Sequence, residues 1–215
     1  MHLFFDLDGT LTDSSPGIVR CINHALVELG RAPSEEAALR PMVGTPLWAI
    51  FETLIGTNDT TTIDRAIAAY RARFNDVGMF ENSVFPGVAS ALAELRARGH
   101  GLQVVTGKPA VPARRIVDHF GMGQFFDAVH GPALTDRSCD KAVLVSDALE
   151  VSGGRAEDAA MIGDRAEDVH AARANGVRAV AAAWGYGRRE ELVAARPDLV
   201  AETVADFVRW VDRQS

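Results

Sequence analysis

The chain has 215 residues, 47% hydrophobic and 24% charged, enough for one large domain, or a core with a smaller inserted module, around a filled interior. A formal net charge of -7 and a sequence pI near 5.4 argue against nucleic acid as a partner, since its binders carry a basic stripe. An anionic small molecule is not excluded, because a bound cation and one or two lysines reverse the potential inside a single cleft.

Cys21 and Cys139 form no CxxC pair and are expected as thiols in a reducing compartment. The start Met1-His2-Leu3-Phe4-Phe5-Asp6 lacks the basic region of a secretory signal. No segment approaches the ~20 apolar residues of a membrane span. A cytoplasmic protein with no membrane partner is expected, and the sequence leaves its oligomeric state open.

Short apolar runs alternate with helical patterns, the sequence form of a parallel sheet covered by helices. Leu3-Phe4-Phe5 is predicted as a buried strand that ends in Asp6-Leu7-Asp8-Gly9-Thr10. From Thr12 to Phe85 the pattern predicts helices and no strand. Ile18, Ile22, Leu26 and Leu29 trace one stripe, Leu47, Ile50, Phe51 and Leu54 a second, and Ile63, Ile67, Tyr70 and Phe74 a third. This predicts an all-helical module, residues 15–84, inserted into an α/β core of residues 1–14 and 85–215. Trp48 and Phe51 are expected in the module's core.

Val88, Ala91, Leu92 and Leu95 share one face of a helix between Pro86 and Gly99. A strand over Leu102–Val105 follows and ends in Thr106-Gly107-Lys108; then come a helix over Pro112–Phe120 and a strand over Phe126–Gly131. After the loop Asp136–Asp140, a helix is predicted over Lys141–Leu149. A strand over Ala159–Ile162 ends in Gly163-Asp164, and a helix over Ala166–Asn175 follows. The strand Arg178–Ala182 leads to Trp184-Gly185-Tyr186-Gly187, and a helix over Thr203–Val211 closes the pattern.

In parallel α/β sheets ligands bind beyond the carboxyl ends of the strands, and three of these strands end in groups suited to phosphoryl chemistry. Asp6 and Asp8, two apart on a turn leaving a buried strand, can face one site as nucleophile and general acid/base, as ligands of a hard metal, or both. A turn with solvated aspartates is the plainer reading of such a pair alone. Thr10 and Thr106 offer hydroxyls. Asp164 and Asp168 lie four apart at a helix start, where they serve equally as a cap with an acidic first turn.

The order Asp6-Leu7-Asp8-Gly9-Thr10-Leu11, Thr106, Lys141, then Gly163-Asp164 with Asp168 resembles the haloacid dehalogenase superfamily over nearly the whole chain. Leu11-Thr12-Asp13-Ser14-Ser15-Pro16 and the insert resemble its phosphoglycolate phosphatase-like branch. The resemblance implies a Rossmann-like parallel-sheet core with a helical cap and a magnesium-dependent (Mg2+) phosphatase acting on a small phosphorylated metabolite, phosphoglycolate first. It implies Asp6 as nucleophile and Asp8 as acid/base. Metal would be held by the Asp6 carboxylate, the Asp8 carbonyl and Asp164, supported by Asp168; Thr106 and Lys141 would hold phosphoryl oxygens.

Thr10 and Gly107, with Gly44 and Thr45 in the insert, are further substrate-side candidates. Gly107 stands where many phosphoglycolate phosphatases carry asparagine, and Ala142 where many relatives carry proline after the lysine. Lys108 is read as an exposed loop residue. Gly185 and Gly187 fit either a tight turn or a close backbone approach. A phosphosugar mutase, a nucleotidase, a dehalogenase or a catalytically silent binding or regulatory protein on the same scaffold are the competing readings.

Overall fold

A computed structural model describes residues 1–136 and 139–214; Arg137 and Ser138, in the loop expected before Lys141, lie outside the described residues, as does Ser215. The chain opens with β1 (His2–Phe5) and β2 (Thr12–Asp13). The segment Ser14–Ser83 forms one unit, built from α1 (Ser15–Glu28), α2 (Glu36–Leu39), α3 (Leu47–Ile55) and α4 (Thr60–Asp76). Then follow β3 (Ser83–Val84), α5 (Val88–Ala97), β4 (Gly101–Val105), α6 (Ala110–His119), β5 (Ala128–His130) and α7 (Lys141–Ser152). The chain ends with β6 (Ala159–Gly163), α8 (Ala166–Ala174), β7 (Arg178–Ala182), α9 (Arg189–Ala194), β8 (Leu199–Ala201) and α10 (Val204–Asp212).

In the unit made of Met1–Asp13 and Val84–Ser215, the described strands form a six-stranded sheet of order β5-β4-β1-β6-β7-β8. Its neighbours pair in parallel, as expected for an α/β Rossmann-like core. Helices between the strands cover a parallel sheet, so its strands read as continuous apolar runs. Leu3, Phe4, Val104, Val105, Ala160 and Ile162 are fully buried, each large side chain contributing about 2 kcal/mol of transfer free energy. Phe5 of β1 pairs with Val104 of β4 and Ile162 of β6. The three central strands therefore end nearly level, and the chain's return from β5 to β6 makes a switch point in strand order beside β1.

In the helical unit, the stripe residues Ile18, Ile22, Leu26, Ile50, Phe51, Ile63, Tyr70 and Phe74 are buried, as their spacing predicts. A side chain on Gly17 would collide with the Gly78 carbonyl, so glycine lets α1 pack tightly against the turn Gly78–Phe80.

Several expectations are corrected. Trp48, expected in the module's core, is 41% exposed: the buried face of α3 runs through Ile50, Phe51 and Ile55, and Trp48 lies off it. Residues 12–85 do contain strand, since β2 and β3 pair as a two-stranded sheet; two residues are too few to show a period. β8, three residues of which only Ala201 is buried, also escaped prediction. Helix α6 begins at Ala110 rather than Pro112, because proline is tolerated in a first turn, where its N–H would have no intrahelical partner.

Candidate active site

Asp6 follows β1 directly, and its N–H donates to the Ile162 carbonyl at 2.8 Å, extending the sheet ladder by one residue. Asp164 follows β6, and Asp168 lies in the first turn of α8. Carboxylate oxygens of Asp6, Asp164 and Asp168 lie within 4.8 Å of one another, and all three residues are buried. The Asp8 carboxylate is not in this set.

Lys141 opens α7, whose start is capped by the Asp140 carboxylate accepting the Ala142 N–H at 2.9 Å. Its buried ammonium lies 3.1 Å from Asp6 Oδ2 and donates to Asp168 Oδ1. Asp168 Oδ2 accepts the Arg165 N–H at 2.9 Å, so this side chain both caps α8 and holds Lys141. Thr106 is buried and bonds through its N–H to the His130 carbonyl at 3.0 Å.

Glycines make the crowding possible. Side chains on Gly9 or Gly185 would collide with the Asp164 side chain, and one on Gly187 with its carbonyl. Gly9 also needs its φ of 86°, open to glycine at little cost. The loop after β7 thus makes the close backbone approach left open above. Its Tyr186 N–H donates to Asp164 Oδ2 at 2.8 Å, and the Tyr186 hydroxyl reaches Asp13 at 2.8 Å. Trp184 Nε1–H donates to the Thr10 carbonyl at 3.0 Å, tying the first signature loop down.

Lys108 corrects the sequence reading. Its Nζ lies 2.7 Å from Asp8 Oδ2, and its side chain is only 9% exposed. A lysine three residues past a strand gives no local signal of an ion pair with a residue a hundred positions earlier. Thr10 is buried with its hydroxyl unpartnered among the described residues, and it lines a small apolar cavity with Phe5, Leu92, Trp184 and Phe207. Gly107 is exposed, with open space where a side chain would stand. Gly44 and Thr45 are exposed residues of the helical unit, on the turn before α3, where Gly44 has a φ of 94°.

The electrostatics are costly without a cation. Burial, then the charges of Asp6 and Asp168, push Asp164 up to about 7, opposed by the Tyr186 N–H and by Arg165. Burial pushes Asp168 up to about 6 against the pull of Lys141. Burial disfavours the Lys141 ammonium, but Asp168 and Asp6 outweigh it and raise its pKa, so the lysine stays charged. Asp8 Oδ1 and Asp164 Oδ1 are buried without a hydrogen-bond partner among the described residues, although such oxygens are normally satisfied.

Known proteins resemble this chain closely. The family described as haloacid dehalogenase-like hydrolase matches residues 3–182. A 5'-nucleotidase of Pseudomonas aeruginosa is 39% identical over 196 residues, 91% of this chain and 88% of that protein. Tyrosine-protein kinase PtkA of Mycobacterium tuberculosis is 39% identical over 210 residues, 98% and 69% respectively. A phosphoglycolate phosphatase of Rhodospirillum rubrum is 35% identical over 195 residues, 86% and 80%. The crystal structure of a predicted phosphatase from Clostridium acetobutylicum superposes with a TM-score of 0.90 at 33% identity, covering 99% of this chain and 98% of that one. The chain belongs to the haloacid dehalogenase-like hydrolase family.

Proposed function

We propose that this protein is a Mg2+-dependent phosphatase that removes phosphate from a small phosphorylated metabolite through an acyl phosphate on Asp6. The observation that carries this reading is the buried convergence of Asp6, Asp164 and Asp168, with Lys141 bound to two of them. The donor set fits a hard divalent ion: its atoms are all oxygens, the carboxylates repel one another, and Asp164 Oδ1 lacks a partner. The Asp6 and Asp164 carboxylates and the Asp8 main-chain carbonyl would hold it, with Asp168 behind them. When bound, Mg2+ neutralises charge on the phosphoryl group.

The side chains supply the rest. A carboxylate oxygen of Asp6 attacks phosphorus, and its bond to phosphorus forms as the ester P–O bond breaks. Asp8 gives a proton to the departing oxygen and then takes one from the water that cleaves the acyl phosphate. Lys141 and Thr106 offset charge on the phosphoryl oxygens. Selection of the leaving group is assigned to the helical unit, with Gly44 and Thr45 as its candidate substrate residues.

Phosphoglycolate is the leading substrate, supported by the relative that bears its name, and the similar 5'-nucleotidase makes nucleoside monophosphates the first alternative. The relative named a tyrosine kinase supports a second reading, transfer of the phosphoryl group to a protein hydroxyl instead of water. A screen of phosphorylated metabolites with Mg2+, following free phosphate, tests the proposal. Wild type should release phosphate from at least one, and Asp6→Asn should lose at least about 10³-fold in kcat. Undiminished turnover by Asp6→Asn would remove it as nucleophile. Isomerised product would mark a mutase, and no hydrolysis at all a silent binding protein.

A further inference from the structure

The two carboxylates of the first signature loop each meet their own lysine. Lys141, the one the sequence singles out, takes Asp6. Lys108 takes Asp8, at 2.7 Å from Oδ2 with the paired side chains 9% and 13% exposed. The other oxygen, Asp8 Oδ1, is buried and unpartnered among the described residues. We propose that Lys108 is a positioning residue that fixes the Asp8 carboxylate by one oxygen, leaving the other aimed at the leaving group. This rests on Asp8 being the acid/base.

The backbone around Lys108 is built to hold such an anchor still. Its N–H donates to Thr106 Oγ1 at 3.3 Å, at the end of a central strand. Its carbonyl packs against Gly131 so closely that a side chain there would collide with it. Pro109 follows with φ near −51°, its ring limiting the chain's freedom, and the next N–H, of Ala110, bonds to the Pro132 carbonyl at 3.1 Å. The flexible four-carbon stem thus starts from a fixed point and stays mostly buried. Holding one carboxylate oxygen fixes the rotation of the group, and displacing an acid by about 1 Å costs up to about 10²-fold in rate.

In the step concerned, the new bond joins Asp6 to phosphorus. The electron pair of the broken P–O bond stays on the leaving oxygen, which receives the Asp8 proton. An alkoxide needs that proton; a nitrophenolate leaves without it. Lys108 should therefore matter for one kind of ester and not the other, which neither a general structural role nor a phosphate-binding role predicts.

The test compares kcat/KM for an alkyl phosphate with an uncharged leaving group, glycerol 2-phosphate, against p-nitrophenyl phosphate, in wild type, Lys108→Met, Lys108→Arg and Asp8→Asn. For Lys108→Met the alkyl ester should lose about 10- to 100-fold and the aryl ester less than about 3-fold. Lys108→Arg should recover most of the loss, and a crystal structure of Lys108→Met should show the Asp8 carboxylate rotated. Equal losses on both esters, no loss on either, or a fall in rate with Asp8 unmoved would each overturn the proposal. If Lys108→Met does not fold, Lys108→Gln carries the same comparison. Full activity in Asp8→Asn would instead remove Asp8 as the acid, a failure of the underlying reading distinguishable from an idle Lys108.

Discussion

Asp164 is the residue whose surroundings ask most of the fold. It is fully buried, faces two other carboxylates, and is pushed up to about 7. A carboxyl raised above its unfolded value of 3.8 binds its proton more tightly in the folded state. Metal-free stability from this group is therefore full below about pH 4 and is lost as pH rises towards 7. In EDTA, Asp164→Asn should be more stable than wild type by on the order of 2 kcal/mol at pH 8, with little difference at pH 4.5. With excess Mg2+ the order should reverse, because the ion stabilises only the state that binds it. Thermal denaturation under the three conditions checks this, and a wild type that gains stability in EDTA between pH 4.5 and 8 relative to the variant would refute it.

Residues at this scale divided by what makes them readable. Asp6, Asp164 and Lys141 sit where a strand ends or a helix begins, and local pattern exposes such places. The Lys108–Asp8 pair and the tie from Tyr186 to Asp13 join positions far apart in the chain. Nothing local distinguishes Lys108 from a solvated loop lysine, and only register between β1 and β4 brings it to Asp8.

At the scale of elements, β1, β4, β6 and β7 were legible because buried parallel strands are mostly apolar runs ending in turn residues. The longer helices were legible from their stripes and closing glycines, whereas the short α2 and α9 were not predicted. What was lost is a two-residue strand, as in β2 and β3, a strand with one buried residue, as in β8, or a side chain off a stripe, as with Trp48. Within the helical unit, α4 is tied to the turn after it by Arg73, whose Nη1 lies 2.6 Å from Glu81 Oε2; Arg20 of α1 adds a contact to Oε1 at 3.0 Å. The Arg73 hydrogen bond, with help from Arg20 and against burial, lowers the Glu81 pKa. A depressed carboxylate stabilises the fold above its unfolded pKa and loses that contribution as pH falls through the folded one. Glu81→Gln should cost about 1 kcal/mol in urea unfolding at pH 7 and close to nothing near pH 3. An equal cost at both values would mean that packing, not charge, holds this corner.

For the molecule as a whole, function follows from strand order. β4, β1 and β6 lie side by side, so the threonine, the paired aspartates and the distal aspartate of three separated segments arrive at one edge of the sheet. The sequence carried the order of these segments; their adjacency comes from pairing, which a single chain's pattern does not specify. The identity of the substrate was the least readable feature, because the groups at that edge answer to the phosphoryl group common to every phosphate ester.

The most direct test of the account is to trap the covalent intermediate. Protein mixed with p-nitrophenyl phosphate and Mg2+, quenched in acid within milliseconds and reduced with borohydride, should yield homoserine in place of Asp6 in peptide mass spectra. The signal should vanish in EDTA. Reduction at a different carboxylate, or a Mg2+-dependent turnover that leaves Asp6 unmodified at every time point, would contradict it.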